Sequence, residues 1–180
     1  MIFGDPHNFA ILIQCFPEWG DSTSKNGIFH FCIDGFFLPE EIKTSTLWVD
    51  VYSLLDNSNP LYVFQDDKDI FEKDAKSAFI HMLGMISPEL IGEDESEGFE
   101  QSYRFQASTE NINDSGYAVF AVSDNDLVRV LGARHSKLQQ DGGGGCHWER
   151  VVSFDVKEAY IEKDKIIDVL AGVRNYYSSI

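Results

Sequence analysis

Four consecutive glycines, Gly142–Gly145, could support chemistry, because glycine-rich loops cradle phosphate groups. A phosphate-binding loop also needs a lysine and a hydroxyl residue directly after its last glycine, where a helix begins. In this chain Cys146 and His147 follow, and the next residues have the pattern of a strand. We therefore interpret residues 135–145 as a flexible glycine-rich loop and not as a nucleotide site.

The pair Cys146 and His147 brings together a thiol and an imidazole, the two groups of a cysteine nucleophile and its base. Adjacent residues of a strand point to opposite faces, so these two side chains cannot act on each other. Cys15 and Cys32 lie in apolar strand-like runs, where a free thiol packs as a small hydrophobic group. Three scattered cysteines do not make a disulfide framework, and an odd count is typical of a reducing compartment.

Metal binding is the third kind of chemistry to consider. No histidine pair has the i,i+4 helical spacing or the Cys-x-x-Cys partner of a zinc site. The acidic stretches 66–69 and 93–97 lack the ligand spacing and closing glutamate of a calcium loop. We therefore predict no metal, no cofactor and no catalytic residue, and we expect His30 to lie in the core or on a sheet face. The histidines concerned are His7, His30, His81, His135 and His147.

Charge is distributed unevenly along the chain, whose formal net charge is −16 from 30 acidic and 14 basic side chains. Between Ser77 and Val128 there are ten acidic residues and one base, Arg104, whereas from Arg129 onward seven acids stand against eight bases. Such a field repels nucleic acids and anionic membranes and attracts basic partners. We predict a protein partner and no binding of nucleic acid or membrane. A plain solubility role for the acids is the alternative.

The chain has no pattern of a targeting or membrane-spanning segment. No apolar run approaches the roughly 18 to 20 residues that a transmembrane helix needs. The first residues, Met1–His7, lack the basic region of a signal peptide and already contain an acid. Both observations favour a cytoplasmic protein.

Two hydrophobic periods indicate the elements that position these residues. Alternation predicts strands over residues 9–16, 27–33, 36–38, 47–55, 99–107, 116–123, 127–133 and 148–160. Asp34-Gly35 indicates a hairpin. Apolar stripes at helical spacing predict a helix over residues 66–86, capped by Asp66 or Asp67, and a closing helix from Asp164. Clustered strands with two helices indicate an α+β fold, a mostly antiparallel β-sheet with two main helices packed on it.

The two helical stripes and several strand aromatics are the expected core. The stripe residues that we expect to be buried are Phe71, Phe79, Met82, Ile166, Leu170 and Val173. On the strands, Phe29, Trp48 and Phe105 are interpreted as core residues and not as platforms for stacking.

Residues 156–161 suit a strand or a helix, so the last helix could begin nearer residue 157. With no repeat and no linker, residues 1–180 are predicted to form one domain.

Several short motifs, mainly within residues 1–55, resemble those of a known family. The motifs are Met1–Pro6, Phe9–Ile11, Trp19, Asn26–Phe29, Ile33–Gly35 and Thr46–Asp50. They are similar to the pattern of family forty-two of the bacterial immunity proteins, which belong to polymorphic-toxin and contact-dependent inhibition systems. The resemblance implies a non-enzymatic protein that binds a toxin domain in the cytoplasm and blocks it.

The resemblance and the charge together imply a basic toxin domain as the partner. Many toxins of these systems are nucleases, and nucleases carry basic surfaces for their substrate. The alternative is a small hydrolase with a carboxylate-based active site, which a deep pocket lined by carboxylates of perturbed pKa would favour. A flat acidic surface with exposed aromatic residues would favour the binding protein.

The acidic segment also suggests which residues contact the partner. The first choice is the loop that contains Glu93, Asp94, Glu95 and Glu97, with Glu100 beside it. Asp66 and Asp67 are the second choice. A mobile patch that only maintains solubility is the competing interpretation of the loop.

Overall fold

The structure, a computed structural model, describes residues 1–21 and 23–180. Strands β1 to β10 are Ile2–Gly4, Phe9–Cys15, Asn26–Ile33, Phe36–Leu38, Ser45–Thr46, Tyr117–Asp124, Leu127–Arg134, Ser136–Gln140, Cys146–Arg150 and Lys157–Glu162. Helices α1 to α6 are Leu47–Leu54, Lys68–Phe71, Ala75–Ile86, Pro88–Ile91, Glu110–Asn113 and Lys163–Ser179. The predicted α+β class with mainly antiparallel strands is confirmed.

The strands form three antiparallel sheets. The first has the order β1-β2-β3-β4, with β5 paired to the beginning of β3; the second is β10-β7-β6, and the third is the hairpin β8-β9. The predicted turn at Asp34-Gly35 joins β3 to β4, and both residues have positive φ, 52° and 81°. Two positive φ angles match the twist of a two-residue hairpin, which explains the Asp-Gly sequence.

Strand β6, at one edge of the second sheet, lies between two cores. Val119 and Ala121 face the core that contains β2, β3 and α6, whereas Phe120 and Val122 face the core that contains α3. A strand buried on both faces needs apolar residues at nearly every position, and β6 has them. The sheet β10-β7-β6 therefore lies between the first sheet and α3.

The helical stripes pack as predicted, with one exception. Phe79, Met82, Ile166, Leu170 and Val173 are buried. Phe71 is only partly buried, because it lies at the end of α2 and packs edge-on against Tyr160, with ring centroids 5.7 Å apart.

Within residues 1–21 and 23–180, no helix combines the length and the apolar character that crossing a membrane requires.

The single helix predicted over residues 66–86 is wrong, because two helices occupy this segment. Asp67 caps α2 by accepting a hydrogen bond from the Ile70 N–H at 3.1 Å, and Asp74 caps α3 by accepting from the Ser77 N–H at 3.0 Å. Each helix therefore begins at its own aspartate. The sequence pattern missed the second cap because the apolar stripe continues across the break.

The buried guanidinium of Arg129 fixes the break between α2 and α3. Its Nη1 donates to the carbonyls of Ile70, Phe71 and Lys73 at 3.3, 2.8 and 2.6 Å. Its Nε donates to Glu158 at 2.5 Å, across the β7-β10 pair. A cation at the carboxyl end of a helix complements the helix dipole. Arg129 thus attaches α2 to the second sheet.

The strand predicted over residues 47–55 is also wrong, since residues 47–54 form α1. Leu47, Val51 and Leu54 are buried on one face of this helix, and Asp50 is buried beside them. Leu47, Val49 and Val51 alternate, but Leu47, Val51 and Leu54 also repeat at helical spacing. Short apolar runs fit both periods, and packing against the first core selects the helix.

The runs 99–107 and 148–160, predicted as strands, are corrected as well. Residues 99–107 form no strand and contact β6 through a single bridge, Gln106 to Phe120. The second run is split between β9 and β10, because the chain leaves the hairpin and crosses to the second sheet. Between them Phe154 packs into the core beside Phe79, with ring centroids 5.3 Å apart.

Residues 135–145, predicted to be a loop, contain a strand and a turn. Residues 136–140 form β8, so the loop prediction is corrected there, and residues 141–145 form the turn to β9. The Asp141 carboxylate accepts N–H groups of Gly143 and Gly145 at 3.0 and 2.7 Å, which the lack of side chains permits. Flexibility of this segment stays a prediction.

Residues 157–162 form β10, so α6 begins at Lys163 and not near 157.

Truncation of Phe79 to alanine tests the packing of α3. Phe79 is fully buried between Phe120 and Phe154. We expect Phe79→Ala to lower the free energy of unfolding by about 3 to 5 kcal/mol, measured by urea denaturation. The control Ile167→Ala removes an exposed apolar side chain from α6 and should cost less than about 0.5 kcal/mol. A loss below about 1 kcal/mol for Phe79→Ala would contradict the packing.

Candidate partner-binding surface

The acidic loop predicted as the contact follows α4 and is exposed. Glu93, Asp94, Glu95, Glu97 and Glu100 are all exposed, and their carboxylates make no ion pair or hydrogen bond to any residue that the structure describes. The loop borders a cavity of about 630 Å³ against α3, which Lys73 also lines. These carboxylates are therefore available to a partner.

Asp66 and Asp67, the second choice, already have partners within the chain. Asp66 accepts from the Ser123 hydroxyl at 2.6 Å and from Lys163 Nζ at 3.1 Å, and these bonds lower the pKa of its carboxyl. Asp67 caps α2 and lies 3.9 Å from Arg104 Nη1. Both aspartates contribute to the fold, which leaves less of their charge for a partner.

A group of aromatic and acidic residues that sequence reasoning missed lies around α1. Trp48 and Tyr52 project from α1, one turn apart, and are 53% and 70% exposed. Tyr103 is 51% exposed, and Asp56 and Glu110 lie beside the two tyrosines. We call Trp48, Tyr52, Tyr103, Asp56 and Glu110 the aromatic–acidic patch. Trp48 is therefore not a core residue, whereas Phe29 and Phe105 are buried as predicted.

The buried carboxylate of Asp50 connects α1 to α5 beneath this patch. Its oxygens accept hydrogen bonds from Thr109 Oγ1 at 2.5 Å, from Asn111 Nδ2 at 3.0 Å and from the Ser45 hydroxyl. Burial raises the pKa of the Asp50 carboxyl, and the three hydrogen bonds oppose the shift. Since Thr109 and Asn111 flank Glu110 in the chain, Asp50 sets the position of Glu110 relative to α1.

A second buried polar side chain holds the loop after α1. Asn59 Nδ2 donates to the carbonyls of Ser53 and Ala107 at 3.1 and 3.2 Å, so residues 53–59 are attached to the segment before α5. In this loop the Ser58 hydroxyl and N–H bind Asp56 at 2.6 and 2.8 Å and lower the pKa of its carboxyl. Asp56 is therefore ionised and fixed in place.

The arrangement around Asp50 differs from a hydrolytic site. All three neighbouring donors bind the Asp50 carboxylate, whose side chain is fully buried. The adjacent cavity of about 170 Å³ is lined by Ser45, Asn111 and Asp114 but not by Asp50. A substrate in that cavity would not contact the Asp50 carboxylate, whose pKa is raised by burial.

The histidines and cysteines are scattered in space as in sequence. His30 is buried in β3 as expected, with Nδ1 2.8 Å from the Pro39 carbonyl oxygen, and burial lowers its pKa. Cys146 and His147 are neighbours on β9 and exposed. Among residues 1–21 and 23–180, no three His, Cys, Asp or Glu side chains are grouped to hold a metal ion. That the chain binds no metal or cofactor stays a prediction.

One sequence signal could have identified the patch. If residues 47–54 are placed on a helix, Trp48 and Tyr52 are four residues apart and lie on a different face from Leu47 and Val51. The contacts of Asp50 to Thr109 and Asn111 join residues about sixty positions apart, and no local pattern reports them.

Comparisons with known proteins place this fold among immunity proteins. The profile of the family described as Immunity protein 42 matches residues 1–176. The crystal structure of CdiI from Burkholderia dolosa AUO158 is similar, with a TM-score of 0.68, 18% sequence identity and coverage of 100% of both chains. At that identity the likeness shows the fold alone. No curated protein matches the chain. The family match confirms the resemblance found in the sequence motifs.

His135 leads to a prediction about pH. Its ring is largely buried, its Nδ1 has no hydrogen-bond partner among the described residues, and burial lowers its pKa from 6.5 to about 4. The unfolded chain binds a proton at His135 at higher pH than the folded chain does, so protonation of His135 favours the unfolded state. The contribution of His135 to stability is therefore fully present above pH 6.5 and is lost as the pH falls to 4.

Urea denaturation at several pH values measures this loss. Between pH 6.5 and 4, the unfolding free energy of the wild type should fall by up to about 3 kcal/mol more than that of His135→Phe. The control His81→Phe, which replaces an exposed histidine, should follow the wild type. Parallel curves for wild type and His135→Phe would contradict the prediction.

Proposed function

The chain belongs to the immunity protein 42 family, and from this premise we propose that it binds the basic domain of a cognate toxin, a nuclease, in the cytoplasm. As an immunity protein it neutralises its toxin by binding and not by catalysis. The observation that carries the proposal is the uncompensated acidic charge of the surface. It favours a basic partner, and a basic surface is what a nuclease needs for its substrate.

Arg104, the one base between Ser77 and Val128, is engaged away from the acidic loop. Arg104 donates to Gln65 and to the Asp66 carbonyl at 3.3 and 2.9 Å, and it stacks on Phe105 at 4.8 Å. It therefore does not neutralise Glu93, Asp94, Glu95 or Glu97. A field of this kind accelerates association with a basic partner and is screened beyond about 8 Å at physiological ionic strength.

Co-expression with the candidate toxin tests the proposed function. The probe is the C-terminal domain of the protein encoded immediately upstream, produced in a bacterial host with and without this chain. We expect the toxin domain alone to arrest growth, the chain to restore it, and the two purified proteins to form a complex. Degradation of DNA or RNA by the isolated domain, stopped by the chain, is expected of a nuclease.

Two outcomes would contradict different parts of the proposal. If the domain is toxic and neutralised but degrades no nucleic acid, the nuclease assignment is wrong and the immunity function stands. If the chain neither binds nor neutralises the domain, that domain is not its toxin and the proposed pairing fails. An unrelated immunity protein of similar net charge is the control for non-specific charge effects.

Charge reversal tests the acidic loop. Replacement of Glu93, Asp94, Glu95 and Glu97 by lysine should lower the association rate with the toxin domain and weaken its salt dependence, because rim charges act mainly on association. The control variant changes the same number of charges at four exposed acids elsewhere, Glu18, Glu40, Glu149 and Asp168.

Both charge-reversal variants alter the net charge equally, so any difference between them reports the position of the charge. Stopped-flow mixing over a range of salt concentrations measures the rates, and circular dichroism verifies folding. Equal rates for the loop variant, the control variant and the wild type would mean that the loop only maintains solubility.

A further inference from the structure

The aromatic–acidic patch lines a depression that consists of two adjoining cavities. A cavity of about 370 Å³ beside Trp48 and a cavity of about 430 Å³ beside Tyr103 share Tyr52 and Asp56 in their walls. No lysine or arginine lines either cavity in the described part of the chain. The depression therefore combines exposed aromatic rings with unpaired negative charge.

This combination binds cations. The face of an aromatic ring attracts an ammonium or guanidinium group within about 6 Å of its centroid, and a nearby carboxylate adds to the attraction. The chain itself provides an example at the rim, where Lys25 Nζ lies 4.8 Å from the centroid of Tyr177, a residue that lines the first cavity. Asp56 and Glu110 have no such internal cation among the described residues.

We infer that the aromatic–acidic patch is the surface that docks the toxin, and that arginine or lysine side chains of the basic toxin domain enter its two cavities. This inference rests on the proposed function, since the basic partner comes from there. Tryptophan and tyrosine are enriched among the residues that dominate interface energies, and the patch exposes one tryptophan and two tyrosines.

The patch is preorganised for binding. Asp50 fixes α1 against α5, and Asn59 fixes the loop that carries Asp56, both through buried hydrogen bonds. Trp48 and Tyr52 stand on a helix whose opposite face is buried in the core. A surface that is rigid before binding loses less conformational entropy on association.

Another exposed apolar surface is less suited to a basic partner. Leu138 and Trp148 pair across the β8-β9 hairpin and are 57% and 50% exposed. The two strands carry Lys137 and Arg150 against Glu149, so their charge does not attract a cationic surface. Trp148 therefore serves as a matched control for Trp48, with the same side chain and similar exposure.

The patch and the acidic loop have separate roles in this scheme. Charges without partners at an exposed loop act over distance and govern the association rate. Desolvated aromatic anchors act only in contact and govern the dissociation rate. Variants of the two regions should therefore change different rate constants.

The test measures binding of the upstream-encoded toxin domain to Trp48→Ala, Tyr52→Ala and Trp148→Ala by surface plasmon resonance. We expect Trp48→Ala and Tyr52→Ala each to weaken binding by about 30-fold or more, mainly through faster dissociation. Trp148→Ala should bind within about threefold of the wild type. Because Trp48 and Tyr52 are exposed, unchanged circular dichroism and melting temperature are expected for all three variants.

A fourth variant, Tyr52→Arg, adds a cation to the depression and should weaken binding more than Tyr52→Ala. Wild-type affinity of Trp48→Ala, Tyr52→Ala and Tyr52→Arg would overturn the inference and leave the proposed function intact. Loss of binding by Trp148→Ala alone would overturn it in favour of the hairpin. If the wild type itself does not bind the domain, the proposed pairing fails, and the inference fails with it.

Discussion

The buried carboxylate of Asp50 fixes the positions of α1 and α5, the two helices that carry much of the aromatic–acidic patch. A buried ionisable group is tolerated only when its hydrogen-bonding capacity is met, and Asp50 meets it with three donors from two separate segments. Ser45 comes from β5, Thr109 and Asn111 come from the beginning of α5, and Asp50 itself comes from α1. If any segment moved away, a donor and the carboxylate would both lose their partners. The cost of that loss fixes α1 and α5 as one unit.

Arg129 constrains the other core in the same way. Arg129 has the largest fully buried side chain among the described residues. Its guanidinium donates hydrogen bonds to three carbonyls at and just after the end of α2 and to Glu158. Breaking such a contact leaves a buried charge without compensation, which is strongly unfavourable. The two buried ionisable groups therefore lie beside different cores, Asp50 beside the core of the first sheet and Arg129 beside the core that contains α3.

Local patterns in the sequence correctly predicted those strands, turns and helices whose structure depends mainly on their own residues. The alternation in β2, β3, β6 and β7 and the Asp-Gly turn were predicted correctly, as was the burial of Ile166, Leu170 and Val173 on α6, whereas Ile167 of the same predicted stripe is exposed. Short apolar runs failed, because residues 47–54 fit a strand or a helix until their packing partners are known. The break before α3 was missed for a related reason, since Arg129 lies more than fifty residues beyond it.

The function was predictable to the level of the family, and the site was not. The motifs at residues 1–55 and the family match agree on a toxin-binding protein that is not an enzyme. Charge along the chain indicated an exposed acidic loop, and the carboxylates of that loop form no ion pair with any residue that the structure describes. The aromatic–acidic patch escaped because Trp48 was placed on a strand and because Tyr103 and Glu110 join it only through tertiary folding.

The two faces of α1 give the protein a way to change its partner over evolution. Leu47, Asp50 and Val51 carry the folding contacts, whereas Trp48 and Tyr52 project away from them. Substitutions on the outer face should therefore cost little stability, because they leave the buried contacts of the inner face in place. The same scaffold could therefore present a different binding surface after changes at only a few outward side chains of α1.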